Sequence, residues 1–386
     1  MSPTQPDDLS SDEMRRYGRH LVMPQVGLEG QRRLRQAKVL LVGTGGLGSP
    51  AALYLAAAGV GTLGLVDFDR VDESNLQRQV LFATDDVGES KVTSAAARLR
   101  ALNPHVEIEL HDVRLDASNV LELVGAYDIV VDGSDNFQTR YLVNDACVMT
   151  GTPDVWGAVL HFEGQLSVFG VRGGPCYRCL FPEPPPPGLV PSCAEAGVLG
   201  VLPGTIGTLQ ATEAIKLILG RGEPLVGRFV TFDALSMRLR EINLPKNPEC
   251  LTCSEGAEPQ LVDLGASCED NLPMTDENSE VPLNIDVHQL HAWREQERDL
   301  VLLDVREEQE YELCRIDGSV LIPMRELPGK LAELDSAALT VVHCHHGPRS
   351  SHAVHYLRSQ GFDRATNLAG GIDAWSLHID PAVPRY

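Results

Sequence analysis

The stretch Val342–Ser350, VHCHHGPRS, sets one cysteine among three histidines and then turns on Gly347, Pro348 and Arg349. Two chemistries suit those residue types: a metal site, or a nucleophile in a loop. Consecutive residues on an extended chain point to opposite sides, so His343 and His345 are expected to face away from Cys344 and His346. Four adjacent ligands do not wrap one tetrahedral ion, and protein zinc sites space their ligands by two or more residues. A nucleophile explains more. The apolar run LTVV reads as a strand that delivers Cys344, and Gly347, Arg349 and Ser350 close the loop before a helix expected from near Ser351. Loop amides and a helix N-terminus then converge on one point. That is a nest for a sulfur anion such as a persulfide, with Arg349 adding positive charge. Pro348 takes one amide out of the cradle.

Four further cysteines stand as two CxxC pairs, CYRC (Cys176, Cys179) and CLTC (Cys250, Cys253), far apart in the chain. Four thiolates so spaced make a closed tetrahedral zinc site, structural because no position stays open for water. The chain has nine cysteines, an odd number, and begins MSPTQPDDLS, polar and acidic without an apolar signal core. A disulfide framework is therefore not expected, and the reading is a cytoplasmic protein that uses cysteine for metal or chemistry. Cys147 lies on an apolar helical stretch and reads as core, Cys314 reads as structural, and Cys268 falls in an acidic stretch. None of these three is given a function.

A third chemistry lies nearer the start. GTGGLG, Gly43 to Gly48, follows the apolar run KVLLV and precedes the helical run SPAALYLAAAG. In that strand–loop–helix context Gly43, Gly45, Gly46 and Gly48 let backbone approach phosphate, and the helix N-terminus offers amides and a positive dipole end. Asp67 ends the next strand, where an acidic side chain can take ribose hydroxyls. So far a nicotinamide oxidoreductase would look the same. Arg78 in DESNLQRQV, Lys91 in GESKV, and Asp132, Asp135 and Asn136 in DGSDN separate the two. A carboxylate at the end of a later strand, beside two cations, suits a triphosphate with magnesium better than a dinucleotide.

Elements must position all of this. From Lys38 short apolar runs alternate with helical ones: KVLLV, TLGLVDFD, VEIELHDV and DIVVDG read as strands, and KVTSAAARLRAL and RYLVNDACVMTG as helices. That alternation implies α/β architecture with a parallel sheet and helical crossovers. After Gly151 the texture changes to strands such as QLSVFGV and RFVTFDAL around one helix, GTIGTLQATEAIKLILG, so the first sheet is expected to be mixed. No Lys or Arg occurs between Lys246 and Arg294, and Ser254 to Pro282 is acidic and rich in turn formers. It reads as a linker. A second alternation follows, with VLLDV, LTVVH and the helical SSHAVHYLRSQG. The expected domains are therefore residues 1–254 for nucleotide chemistry, 255–282 as linker, and 283–386 as a smaller α/β domain. At 386 residues and 43% hydrophobic content there is enough chain for two real cores. The net charge of −22 argues against a nucleic-acid surface, and no apolar run is long enough to cross a membrane.

GTGGLG, VDFD, SNLQRQ, GESK and SDN stand in the order and spacing of the ubiquitin-activating superfamily. The resemblance covers roughly residues 13 to 253 and is greatest to members that adenylate ubiquitin-like sulfur carriers. It implies a Rossmann-like domain in which Gly46, Asp67, Asp69, Ser74, Asn75, Leu76, Gln77, Arg78, Lys91, Asp135 and Asn136 contact ATP. It also implies that Arg19, in RRYGRH, reaches the phosphates across a homodimer interface, that zinc sits on the four CxxC cysteines, and that Cys193 lies in a crossover loop and takes part in thioester or acyl-disulfide chemistry. Residues 283 to 386, with LLDVREEQEYELCRIDGSVLIP, CHHGPRS and LAGGIDAW, resemble a rhodanese domain, which makes Cys344 the persulfide carrier and Arg349 its support.

The joint resemblance is to adenylyltransferase–sulfurtransferase fusions, with implied roles in molybdenum cofactor biosynthesis among other pathways. The implied partners are a sulfur carrier ending in Gly-Gly and a sulfur donor, either a cysteine desulfurase or thiosulfate; ATP, Mg2+ and Zn2+ are the implied cofactors. Arg19, Arg78 and Lys91 would stabilise charge on phosphate oxygens as the carrier's C-terminal carboxylate attacks, and no general base is needed because that carboxylate is already ionised. A linker of ~28 residues has a root-mean-square span near ~30 Å, enough for Cys344 to visit an adenylate. The alternative is an adenylating enzyme whose rhodanese domain only docks a sulfur donor.

Overall fold

The structure is a computed structural model that describes residues 9–185, 197–261 and 281–386. It divides into two compact units, one built on an eight-stranded sheet and the other on a five-stranded sheet.

In the larger unit the strands are β1 (Lys38–Val42), β2 (Thr62–Val66), β3 (Glu107–His111), β4 (Ile129–Asp132), β5 (Asp154–Leu160), β6 (Glu163–Phe169), β7 (Arg228–Asp233) and β8 (Arg238–Asn243), in the order β3-β2-β1-β4-β5-β6-β7-β8. The first five strands of that order are parallel and the pairs from β5 to β8 antiparallel, so the sheet is mixed. The four residues of β1 after Lys38 are buried because helices cover both faces, which is why the strand reads as a continuous apolar run. The chain leaves β1 toward β2 on one side and returns through β4 on the other. That reversal opens a crevice beyond the carboxyl ends of β1 and β4, where ligands of open α/β sheets bind.

The smaller unit holds β9 (Asn284–Ile285), β10 (Val301–Asp304), β11 (Val320–Leu321), β12 (Thr340–His343) and β13 (Ala365–Leu368), all parallel, in the order β11-β10-β12-β13-β9. Strand β12 is central, and its four residues are buried. The helix after it spans Pro348–Ser359. It starts earlier than Ser351 because Pro348 occupies the first turn, where its fixed φ suits a helix and its missing N–H would have had no intrahelical partner.

Among the described residues no helix is long and apolar enough to cross a membrane.

Candidate functional site

The glycine loop hangs from β1 at the crevice. Gly43 has φ +84°, a left-handed conformation that side chains resist. Gly48 has a different reason: a Cβ there would lie 1.9 Å from the carbonyl oxygen of Gly43, so it is needed for the turn to close on the helix Gly48–Ala58. That helix begins without a side-chain cap; its Ser49 amide donates to the Gly45 carbonyl at 2.8 Å, and Pro50 in its first turn carries no N–H. Beside the loop lies a cavity of about 400 Å3 lined by Gly43, Gly45, Gly46, Asp67, Asp69, Arg78, Lys91, Asp135 and Asn136.

The charged residues here are held by one another. Thr44 donates from its backbone N and from Oγ1 to Asp67 Oδ2, both at 2.9 Å, which fixes the carboxylate at the end of β2. Lys91, only 7% exposed, places Nζ 2.8 Å from Asp69 Oδ2, whereas Asp69 is 52% exposed. Asp69 is thus the counterion of Lys91. Arg78 donates to the Ser74 carbonyl at 3.0 Å, and Asp72 accepts from the Ser74 amide at 2.9 Å. Ser74, Asn75, Leu76 and Gln77 are absent from the cavity wall; they form the turn that presents Arg78. Asn136 accepts from the Thr139 amide at 2.8 Å, capping the helix Phe137–Thr150 beside the exposed Asp135. Arg19 is exposed on the short helix Gly18–Leu21 and is absent from the wall of this chain's cavity.

Asp132 ends β4, as expected, but its side chain is absent from the cavity wall. It is fully buried, with Oδ1 accepting from the Ser134 amide at 2.8 Å and Oδ2 without a partner. Burial raises its pKa, and raises that of Asp154 on the neighbouring strand still further, because neither oxygen of Asp154 has a hydrogen-bond partner. Sequence reasoning also missed Arg140, which lines the cavity and donates to the Ser134 carbonyl at 3.1 Å, with its guanidinium 5.8 Å from the Trp156 ring. Its only signal is position: it lies one helical turn past Asn136, on the side facing the strands.

The four CxxC cysteines meet. Cys176 Sγ lies 3.6 Å from Cys250 Sγ and 4.0 Å from Cys179 Sγ, and Cys179 Sγ lies 3.4 Å from Cys253 Sγ. No disulfide joins them. A tetrahedral ion with Zn–S of ~2.3 Å requires sulfurs ~3.8 Å apart, so the donor set fits such an ion. Arg178, between the first pair, makes two hydrogen bonds to the buried Asp145 at 2.8 and 2.7 Å and so fixes that turn to the helix Phe137–Thr150. Cys147 is buried core as expected. Cys193 and Cys268 lie outside the described residues.

In the smaller unit β12 delivers Cys344 into a closed loop. The sulfur is fully buried and accepts hydrogen bonds from the Gly347 amide at 3.1 Å and from Ser350 Oγ at 3.4 Å. Gly347 has φ +107°, which bends the chain around the sulfur and starts the following helix. The histidines do not alternate as on an extended strand. His343 is buried in the core, whereas the rings of His345 and His346 stack with centroids 3.9 Å apart because the loop curls after Cys344. Burial, with His346 beside it, pushes His345 down to about 4. The atoms of His345, His346 and Asp373 that could hold a metal ion lie close together. Arg385 already pairs with the Asp373 carboxylate at 2.7 Å.

Arg349 has a different immediate partner from the sulfur. Its two terminal nitrogens bind the Glu310 carboxylate at 2.8 and 2.7 Å. Burial alone would raise the Glu310 carboxyl, but the Arg349 hydrogen bonds hold it below its usual range. Arg306, fully buried, binds the buried Asp304 and the carbonyl of Cys314, giving the loop a rigid floor; Cys314 is structural as expected. Asp304, Arg306 and Glu310 stand in DVREEQE, where local spacing carries no sign that they meet the cysteine loop.

Comparison with known proteins agrees with this division. Residues 17–252 match the ThiF family and residues 286–378 the rhodanese-like domain. The chain is 46% identical over 387 residues to the probable adenylyltransferase/sulfurtransferase MoeZ of Mycobacterium tuberculosis, covering 98% of this chain and 96% of that protein. It is 43% identical to the adenylyltransferase and sulfurtransferase MOCS3 of Anopheles gambiae, covering 98% and 90%. The sulfur carrier protein adenylyltransferase of Thermus thermophilus is 54% identical over 265 residues, covering 67% of this chain and 98% of that protein. Among solved structures, E. coli MccB with MccA-N7isoASN aligns with a TM-score of 0.57 at 25% identity, over 62% of this chain and 75% of that one. This chain belongs to the ThiF family and is an adenylyltransferase joined to a rhodanese-like sulfurtransferase domain.

Proposed function

We propose that the chain adenylates the C-terminal glycine of a ubiquitin-like sulfur carrier ending in Gly-Gly and converts it to a thiocarboxylate. The observation that carries this reading is the presence, in one chain, of a glycine-loop cavity holding Lys91 and Arg78 and of a buried cysteine in an amide-donating loop. Neither half is complete alone. The first makes an activated acyl group without sulfur, and the second holds a sulfur nucleophile without an acyl group.

In the first step the carrier's carboxylate attacks the α-phosphorus of ATP; a carboxylate–phosphorus bond forms and pyrophosphate leaves. Lys91 and Arg78 stabilise charge on the phosphate oxygens, with Arg19 supplied by the partner of a homodimer. Asp135, exposed at the cavity wall, would hold Mg2+, which offsets the charge of the leaving group. The Gly45 and Gly46 amides, at the cavity wall, seat the phosphates, and Asp67 accepts from the ribose. In the second step a persulfide on Cys344, loaded by thiosulfate or a cysteine desulfurase, attacks the acyl carbon and releases AMP, leaving an acyl disulfide. A thiolate, that of Cys193 or of an external thiol, then attacks Cys344 Sγ and frees the thiocarboxylate; an external thiol reduces the resulting disulfide. The Gly347 amide and Ser350 hydroxyl hold the sulfur throughout. Zn2+ on Cys176, Cys179, Cys250 and Cys253 would pin the segment after β8 to the segment after β6. We place these reactions in the cytoplasm, the compartment in which free thiols such as those of the CxxC pairs stay reduced.

The reading is tested by exchange of labelled pyrophosphate into ATP. Exchange should require the Gly-Gly carrier; exchange at full rate without it, or none with it, would overturn the proposal.

A further inference from the structure

Tyr386 lies beyond the segment matched by the rhodanese-like domain, yet its side chain reaches the elements around Cys344. Its ring stacks on His345, the residue after Cys344, with centroids 4.3 Å apart and planes 5° from parallel. Its hydroxyl lies 2.8 Å from Arg306 Nη1 and 2.9 Å from Glu310 Oε1. The direction of these bonds is determined. An arginine only donates and a carboxylate only accepts, so the phenol oxygen accepts from Arg306 and its single proton points at Glu310. Burial first, and Glu310 beside it, raises the phenol's pKa, so that proton stays through the neutral range. Arg306 is an immobile reference, fully buried and bound to Asp304. Arg385, the preceding residue, fastens the segment to Asp373 at 2.7 Å.

The shared carboxylate gives this arrangement a consequence. Arg349 and Glu310 are 11% and 13% exposed, so water screens their attraction little, and an anion arriving at Arg349 must compete with it. A hydrogen bond from Tyr386 withdraws charge from Glu310 Oε1 and weakens its hold. We propose that Tyr386 is a positioning residue for sulfur transfer: its hydroxyl shares Glu310 with Arg349 and so leaves the guanidinium available to an anionic sulfur donor, while its ring sets the His345 side of the cysteine loop. The inference rests on the reading of Cys344 as the sulfur carrier.

The test uses the full chain, thiosulfate as the anionic donor and cyanide as the acceptor, with thiocyanate measured. Tyr386→Phe keeps the stacked ring and loses the hydroxyl. It should raise KM for thiosulfate about tenfold, the scale of one hydrogen bond to a charged group, with a smaller change in kcat. In a Glu310→Gln background, where the carboxylate charge is already gone, the same substitution should leave KM where that background sets it. Tyr386→Leu, which also loses the ring, should lower kcat as well. A parental KM in Tyr386→Phe, or an equal rise in the Glu310→Gln background, would overturn the inference while leaving the function intact. Thiocyanate production unaffected by Cys344→Ala would overturn the reading of the site, and this inference with it.

Discussion

Removing the Lys91 ammonium should do more than delete one cation. Its Nζ sits 2.8 Å from Asp69 Oδ2, and it is the buried member of the pair, so Lys91→Ala leaves a carboxylate at the cavity wall with nothing to neutralise it. Two effects add. Loss of a stabiliser aimed at the transferring phosphate costs about 100-fold in rate. An uncompensated carboxylate about 5 Å from a phosphate charge repels it by about 1 kcal/mol in a well-solvated site, roughly another fivefold. Lys91→Ala should therefore lower carrier-dependent ATP–pyrophosphate exchange by about 500-fold, combining those two factors. The double variant Lys91→Ala/Asp69→Ala should recover the repulsive part and exchange about fivefold faster than the single one. Thermal unfolding should barely change in either, since an ion pair with one half-exposed partner contributes little to stability. A single variant within about threefold of the parent, well short of that loss, would mean that Lys91 does not face the reacting phosphate. A double variant no faster than the single one would remove the repulsion argument.

Elemental analysis should find one zinc per chain, and substituting Cys250 with Ser should release it and destabilise the larger unit; zinc-free protein of unchanged stability would contradict that site. Asp154 is fully buried and its pKa is raised well above 3.8, so the fold favours the neutral carboxyl. The stability it allows is present below the ordinary carboxylate pKa and is lost as pH rises toward the folded value. Asp154→Asn does not titrate, so from pH ~4 upward its unfolding free energy should gain on the parent by about 1.4 kcal/mol per pH unit; parallel curves would show that Asp154 ionises freely in the fold.

What the sequence made legible was local. The glycine loop, Lys91, Asp135 and the CxxC pairs carry their chemistry in spacing over a few residues, and the alternation of apolar runs with helical ones placed most of the first sheet. What it hid depends on distant contacts or on elements without a periodic signature. Strand β8 is exposed along its whole length, and β5 opens on a buried aspartate, so neither shows the expected pattern. The resemblance implies contacts for Ser74 to Gln77, whereas the fold shows them forming the turn before Arg78, off the cavity wall. Arg349 meets Glu310 across 39 positions, and Tyr386 meets it across 76, separations that no motif spans. The stacking of His345 on His346 falls in the loop after β12, where alternation along a strand no longer applies.

The central claim is that the adenylating cavity and the cysteine loop act in sequence on one acyl group. The most direct measurement is the intact mass of a Gly-Gly sulfur carrier after incubation with ATP, thiosulfate and a thiol reductant. With the parent chain the carrier should gain one sulfur in place of one oxygen. With Cys344→Ala, ATP–pyrophosphate exchange should persist while the carrier mass stays that of the free carboxylate. A carrier that still gains sulfur with the Cys344 variant would mean that sulfur arrives by another route, and the two-step account would be wrong.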